Sequence, residues 1–530
     1  MSSSNLVRIA YKKETTYGVT PAAVAATGTL DLTADIILTS VKKGSQRNTN
    51  TLTLQVEAAA ANPTDTVLVS FTGTEDAIVV TVTPNDGTNN GATPVDLTTA
   101  ELVELINTGA VVGKTITLTD ASSLRILQTA TGGDATALAD SGEGDGVIAT
   151  FASGSGEFKT ARFTSEQYSG TPETTESQQI RTDRLSSGQV VTGLTVEGGH
   201  NFELAKELAI EDFMESAMFN SWDTSFAIKN RNFAIDTTAK TITSDSGSFV
   251  TDGLEVGDVI VLSNFASAVN NVPVMVTAVT ALVIDYAGPS TMVDAASEAA
   301  SYQRGDKLSI GTSKKSLTIE KTFLDLTDKA IIYKGCLVSQ MDLNIEYGSL
   351  ISGVFNTSGN YYATADAANE FISYLEYIDD PATTNSLNGS VDMPFVTTDV
   401  TGSFVQDTFC IQNLNMSLNN NLSTQTCIGK AAPEDYSPGT AALTVELSSY
   451  LKDANWDLLA RKLSQESFAI GFTVNNSDGW YGFYMPAIQV SFDDPASAGQ
   501  NQDISMDMSG TAKVGANGEP SLTIYRAPSS

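Results

Sequence analysis

Apolar and polar residues alternate with a period of two over much of the chain, the pattern of strands that bury one face and wet the other. Clear runs lie at 51–56, 77–83, 191–197, 340–346, 443–447, 487–492 and 503–508. In 340–346, Met341, Leu343 and Ile345 fall on one face and Asp342, Asn344 and Glu346 on the other. In 503–508, Ile504, Met506 and Met508 oppose Asp503, Ser505 and Asp507. Clusters such as Pro84-Asn85-Asp86-Gly87 and Asn475-Asn476-Ser477-Asp478-Gly479 separate the runs. These residues turn a chain because they tolerate positive φ or hydrogen-bond their own backbone. Helical spacing is scarce. The segment 98–106 opens with a capping box, Thr98 to Glu101, and sets Leu102, Leu105 and Ile106 on one side. Segments 204–219 and 453–463 are the other amphipathic candidates, expected to pack on their own sheet, with a neighbouring subunit as the alternative. The predicted fold class is mainly β with a few short helices.

The runs recur in order. Leu-Thr-Val-Glu stands at 194–197 and again at 443–446, an offset of 249, each time ahead of a helical segment. Ser316-Leu317-Thr318-Ile319 matches Ser467-Phe468-Ala469-Ile470, and Gly359 matches Gly510, both at an offset of 151. Gly335 and Gly482 match at 147. Ordered matches of this kind predict a duplicated β-domain. The drop from 249 to 151 is what a domain inserted into the first copy, at about 223–313, would produce. Residues 28–160 have strands and a helix with no counterpart later, and read as a second insertion. The expected plan is 1–27, 161–222 and 314–359 for the first copy, 28–160 and 223–313 for two small inserted β-rich domains, and 360–530 for the second copy.

Composition narrows the function. Only 17% of the 530 residues are charged, where a soluble domain has about 25%, so Ser, Thr, Asn and Gln must cover much of the surface. Acidic residues outnumber basic ones 62 to 29, for a net charge of −33. Such a surface repels phosphate and argues against sequence-specific nucleic-acid binding. Three cysteines (Cys336, Cys410, Cys427) make neither a disulfide framework nor a zinc set, and the single histidine removes most His-dependent chemistry. The first 18 residues lack a signal-peptide core, and the longest apolar stretch, 272–284, is too short to span a bilayer. A soluble, non-enzymatic protein without cofactors or membrane contact is expected.

Three stretches carry a family resemblance. They are Ile9-Ala10-Tyr11-Lys12-Lys13-Glu14-Thr15-Thr16-Tyr17-Gly18-Val19, then Thr175-Glu176-Ser177-Gln178-Gln179-Ile180-Arg181-Thr182-Asp183-Arg184 with the strand and helix that follow to Trp222, and the segment 413–430 followed by Gly439. Together they resemble the tail tube proteins of long-tailed bacteriophages. The resemblance implies two tail-tube-like β-sandwich or barrel domains, each with a flanking helix. It further implies stacked rings that form a channel for the genome, and for a two-copy chain a homotrimer with pseudo-sixfold symmetry. The implied partners are the chain itself, the tip, terminator and tape-measure proteins, and DNA that passes without specific binding. The implied location is the virion tail after synthesis in the host cytoplasm. A surface adhesin or decoration protein that binds a receptor or glycan is the alternative.

Under that reading Asp342, Asn344, Glu346, Asp503, Ser505, Asp507, Glu197 and Glu446 are the candidate lumen-lining residues; plain solvated strand faces are the other reading. His200, after Gly198-Gly199 at a strand end, is expected in a loop or interface. The acidic stretch 134–146 lacks calcium-loop spacing and reads as a solvated loop. Cys410 and Cys427 could lie on neighbouring strands, and ordinary buried thiols are the simpler expectation.

Overall fold

The computed structural model describes residues 7–19, 158–179, 188–327, 329–365, 411–453, 465–491, 503–516 and 518–528, with shorter segments elsewhere, chiefly the strands and helix between 25 and 150. Strand dominates, and the α-helices among the described residues are the short segments Thr99–Thr108, Leu208–Met218 and Phe249–Asp252.

The largest sheet links nineteen strands among the described residues. Its heart is an antiparallel run of eight: Ser169–Glu176, Gln189–Glu203, Ser352–Gly359, Ala330–Glu346, Ile411–Asn419, Ala442–Tyr450, Ser505–Ala512 and Trp480–Ser491, each bonded to the next. A single apolar row crosses seven of these strands, Phe202–Gly353–Leu343–Met416–Val445–Gly510–Val490. Its large members are all buried. Gly353 is required there, because a Cβ would stand 2.4 Å from the ring of Phe202.

Registers repeat along this sheet. Val196 faces Gly359, and Val445 faces Gly510, at the offsets of 249 and 151. Leu317 faces Cys336 and Ile319 faces Tyr333, while Phe468 faces Ile488 and Ile470 faces Met485. The second member of each pair is thus displaced by 152. A displacement of 152 carries Gly335 to Ala487 and not to Gly482. Both strands are bulged where they meet their partners, and Gly335 sits at φ 64 against Asn360 and Tyr17 for reasons of its own.

The helix Leu208–Met218 packs against Ala330–Glu346. It is four residues shorter at its start than the sequence pattern suggests, because Glu207 is extended and serves as its N-cap. Nor is it amphipathic in the expected sense: Glu211, Asp212 and Glu215 are buried with the apolar residues. Cations from distant segments make this tolerable. Lys13 pairs with Asp212 and Glu215, each at 2.6 Å, while Lys206 and Arg526 reach Glu211. Tyr11 adds a hydrogen bond to Asp212 at 2.8 Å.

Six strands within 229–304 close a separate small barrel, in the order Lys229–Asp236, Thr241–Ser244, Val283–Ala287, Pro273–Val279, Val259–Ser263, Ala295–Arg304. Phe233, Phe249, Ile260, Val274, Val276, Ile284 and Tyr302 fill it. The apolar stretch 272–284 supplies two of its strands. Val259, Met275 and Ala287 on the outside dock against Ala469, Trp480, Tyr484 and Tyr525 of the large sheet. The strand Thr523–Arg526 bridges Trp480–Ser491 and Asp306–Ser309. In the earlier part of the chain, a mixed sheet joins Thr115–Thr119, Thr66–Gly73, Ala77–Thr83, Thr51–Val56 and Ile148–Thr150, and a smaller one joins Ala25–Leu30, Ile36–Lys43 and Gln128–Gly132. Positions 28 and 160 therefore lie inside strands, Ala25–Leu30 and Phe158–Ala161.

Candidate functional site

The face of the eight-stranded run opposite its apolar row is mainly polar. One row reads Glu203–Ser352–Asn344–Asn415–Glu446–Ser509–Ser491. The next reads Asn201–Val354–Asp342–Ser417–Thr444–Thr511–Gln489. Neither row contains a Lys or Arg. Their carboxylates are never direct cross-strand neighbours, since Glu446 lies between Asn415 and Ser509, and Asp342 between Val354 and Ser417. Like charges facing each other across strands are destabilising, so interposed amides and hydroxyls let acidity accumulate on one face at little cost to folding.

Most of the residues singled out from the sequence meet here. Asp342, Asn344 and Glu346 project from Ala330–Glu346, Glu446 from Ala442–Tyr450, and Ser505 and Asp507 from Ser505–Ala512, each exposed or half-buried. Glu346 faces Asn413, whose Oδ1 accepts the N–H of Ser448, and the Ser448 hydroxyl donates to Asp507 at 2.5 Å. Gln340 donates to both oxygens of Asp342, at 2.8 and 3.0 Å, and to Ser417 at 3.2 Å. Glu197 is exposed between Ser169 and Ser358, about 20 Å along its strand from Glu203 at ~3.3 Å per residue. Asp503 is exposed just before its strand, which starts at Ser505, and Ile504 is 38% exposed instead of inward. A shallow basin of about 460 Å³ lies over Asn413, Asn415, Glu446, Ser448, Asp507 and Ser509.

Glu203, Asn413, Asn415 and Ser417 belong to this face and were not among the candidates. Alternation in 411–419 marks the last three. Glu203 was hidden because the strand Gln189–Glu203 continues past Gly198 and Gly199. For the same reason His200 is no loop residue. It is 2% exposed within that strand, its Nδ1 2.7 Å from the Tyr168 hydroxyl and its ring edge-on to Phe213. Burial pushes its pKa down to about 4, which keeps it neutral. Cys336 is buried, but Cys427 is exposed, contrary to the expectation of a buried thiol. Cys410, the acidic stretch 134–146, the turn at 84–87 and most of the 453–463 helix lie outside the described residues. Among the described residues, no three His, Cys, Asp or Glu side chains gather as a metal site.

Burial also raises the Glu207 carboxyl above its usual range, against the opposing pull of Arg162, but Glu207 caps the buried helix and does not open onto the polar face. What the face offers is an extended acidic, hydrogen-bonding surface. No curated protein matches the chain. Residues 149–512, more than half of the chain, match the family described as phage tail tube protein. The chain therefore belongs to the phage tail tube proteins, structural components of the virion tail with a β-rich fold.

Proposed function

We propose that the chain is the tube subunit of a non-contractile, long-tailed phage, and that its copies close into rings whose stacking makes the channel for the genome. The observation that carries this reading is the pair of polar rows, free of Lys and Arg, that cross seven strands of the eight-stranded run. Turned inward around a ring, Asp342, Asn344, Glu346, Glu446, Ser505, Asp507, Glu197 and Asp503 would line a lumen that repels the phosphate backbone and lets DNA slide. The repeated registers support a duplicated tail-tube domain, with 28–160 and 223–313 as insertions projecting outward. Two copies per chain make a homotrimer the natural closed ring. Tip, terminator and tape-measure proteins would be its partners in the tail.

Negative-stain electron microscopy over a concentration series tests this. Rings or hollow tubes with three outward lobes per layer are expected. A compact monomer that also fails to add onto isolated tail tips would overturn the reading and favour an adhesin.

A further inference from the structure

The small barrel carries a polar hollow of its own, apart from the polar face of the large sheet. Asn230, Asn232, Asn264, Asp245, Ser246 and Ser301 line a cavity of about 470 Å³, within the ~300–1,000 Å³ usual for small-ligand sites. It lies on the outer wall of two paired strands, Lys229–Asp236 and Ala295–Arg304, where Asn230 faces Ser301 and Asn232 faces Ala299. Ala299 and Ser301 are small, so the wall dips beside the asparagines. In the closed strand order this pair stands across the barrel from Pro273–Val279 and Val283–Ala287. Those opposite strands supply Met275 and Ala287 to the contact with the large sheet, so the hollow is turned away from that contact.

The polar groups are fixed before any ligand arrives. Ser301, only 3% exposed, donates its hydroxyl to Asn230 Oδ1 at 2.7 Å and accepts Nδ2 of Asn264 at 2.8 Å. Asn264 stands at φ 65, a backbone state that Asn tolerates better than most residues. Across the hollow, the Ser246 hydroxyl donates to Asp245 Oδ1 at 2.9 Å and Asn232 Nδ2 to Oδ2 at 2.7 Å. These bonds, that of Ser246 first, hold the Asp245 carboxyl below its usual range and keep it ionised. Each bond uses one end of an amide and leaves the other. Among the described residues, Asn230 Nδ2 remains as a donor, with Asn232 Oδ1, Asn264 Oδ1 and the Asp245 oxygens as acceptors. Arg231, the cation in the lining, is held by Asp252 at 2.7 Å, so an anion would meet Asp245 without a countercharge. A hydroxyl both donates and accepts, which is what a wall of mixed amide ends and a carboxylate can satisfy.

We infer that this hollow binds a neutral saccharide, its vicinal hydroxyls bridging Asn230 and Asn264 above Ser301 and a further hydroxyl donating to Asp245. No aromatic ring lines the hollow to stack on a sugar, so a single site binds weakly. Repetition along a polymer of chains would supply avidity; that gain rests on the tube-subunit reading, whereas the site itself does not.

Saturation-transfer NMR on the full chain tests this with four neutral probes, the methyl glycosides of glucose, galactose, mannose and N-acetylglucosamine, and with glucuronate as the charged probe. Transfer to at least one neutral probe is expected, and none to glucuronate. Asn264→Gly removes an amide at a backbone position that suits glycine, and Ala299→Trp fills the hollow. Each should cut the transfer at least fivefold with the urea midpoint unchanged. No transfer to any of the four, transfer that survives both substitutions, or equal transfer to glucuronate would overturn the site. Electron microscopy of the same preparations separates the two readings: tubes without transfer overturn the saccharide site alone, and transfer in a chain that never assembles, even on isolated tail tips, overturns the tube reading alone.

Discussion

Arg526 ties the far end of the described chain to the buried acidic helix, and its removal should be costly. Its Nη1 pairs with Glu211, its Nε lies 3.0 Å from Asp306, and its guanidinium rests 4.5 Å from the centroid of the Trp222 ring. The three side chains are 11%, 5% and 4% exposed, Arg526, Glu211 and Asp306 in that order, so this is an interior network. Removing one partner from such a network costs about 3–5 kcal/mol, mostly for the carboxylates left behind. Lys206 and the Tyr481 hydroxyl still reach Glu211, which places Arg526→Met near the lower end, about 3 kcal/mol. Urea unfolding followed by intrinsic fluorescence, to which Trp222 reports locally, measures the loss. Asp306→Asn introduced into the Arg526→Met chain should recover part of it, since that carboxylate has lost its guanidinium while Lys206 still neutralises Glu211. A loss below about 1 kcal/mol, the range of exposed ion pairs, would refute the interior-network argument.

Four other outcomes are expected. His200 titrates near 4 in the fold against ~6.5 when unfolded; the unfolded chain takes up the proton first, so this contribution is intact above about pH 6.5 and is lost as pH falls towards 4. It amounts to about 3 kcal/mol, and His200→Gln should flatten the difference between urea midpoints at pH 7 and 4.5; an unchanged difference would count against it. Phe213 is fully buried against Tyr11, His200 and Phe355, so Phe213→Ala should lose about 3–5 kcal/mol in chemical denaturation. Gly257 has φ 89 and its Cβ would stand 2.3 Å from the Tyr484 ring; Gly257→Ala should cost about 1–3 kcal/mol and loosen the barrel from the sheet, seen as faster proteolysis within 229–304, and Tyr484→Ala in the same chain should relieve part of the cost. Asp342→Lys, Glu446→Lys and Asp507→Lys together should make assembled tubes retain short DNA at low salt and release it as salt rises; no retention would argue against an inward-facing polar surface.

Much of the sheet was legible because period-two alternation is a local property. Met341, Leu343 and Ile345 are buried and Asp342, Asn344 and Glu346 are not, as alternation alone demands. What alternation could not convey was pairing between distant segments. Nothing near Glu211 announces Arg526, so the acidic side of a helix read as amphipathic turns out to be buried as well. The pair Gly198-Gly199 resembles a strand end, but close approach of backbone is its cause: a Cβ on Gly199 would meet the Phe355 carbonyl at 2.0 Å. The strand therefore continues through His200 to Glu203. At the polar face, acidic residues on separate strands were each visible, whereas their alignment into common rows depends on registers that only the fold supplies.

The strand Asp306–Ser309 has its partner Thr523–Arg526 more than two hundred residues downstream. At a translation rate of roughly 5–20 residues per second, that partner follows about ten to forty seconds later. Throughout this interval, the edge beside the barrel's exit stays unsatisfied on the ribosome. Long-range pairing of this kind also slows folding itself. Each polypeptide thus completes this part of its sheet only after residues 523–526 have left the ribosome, and any shorter nascent chain carries it unfinished.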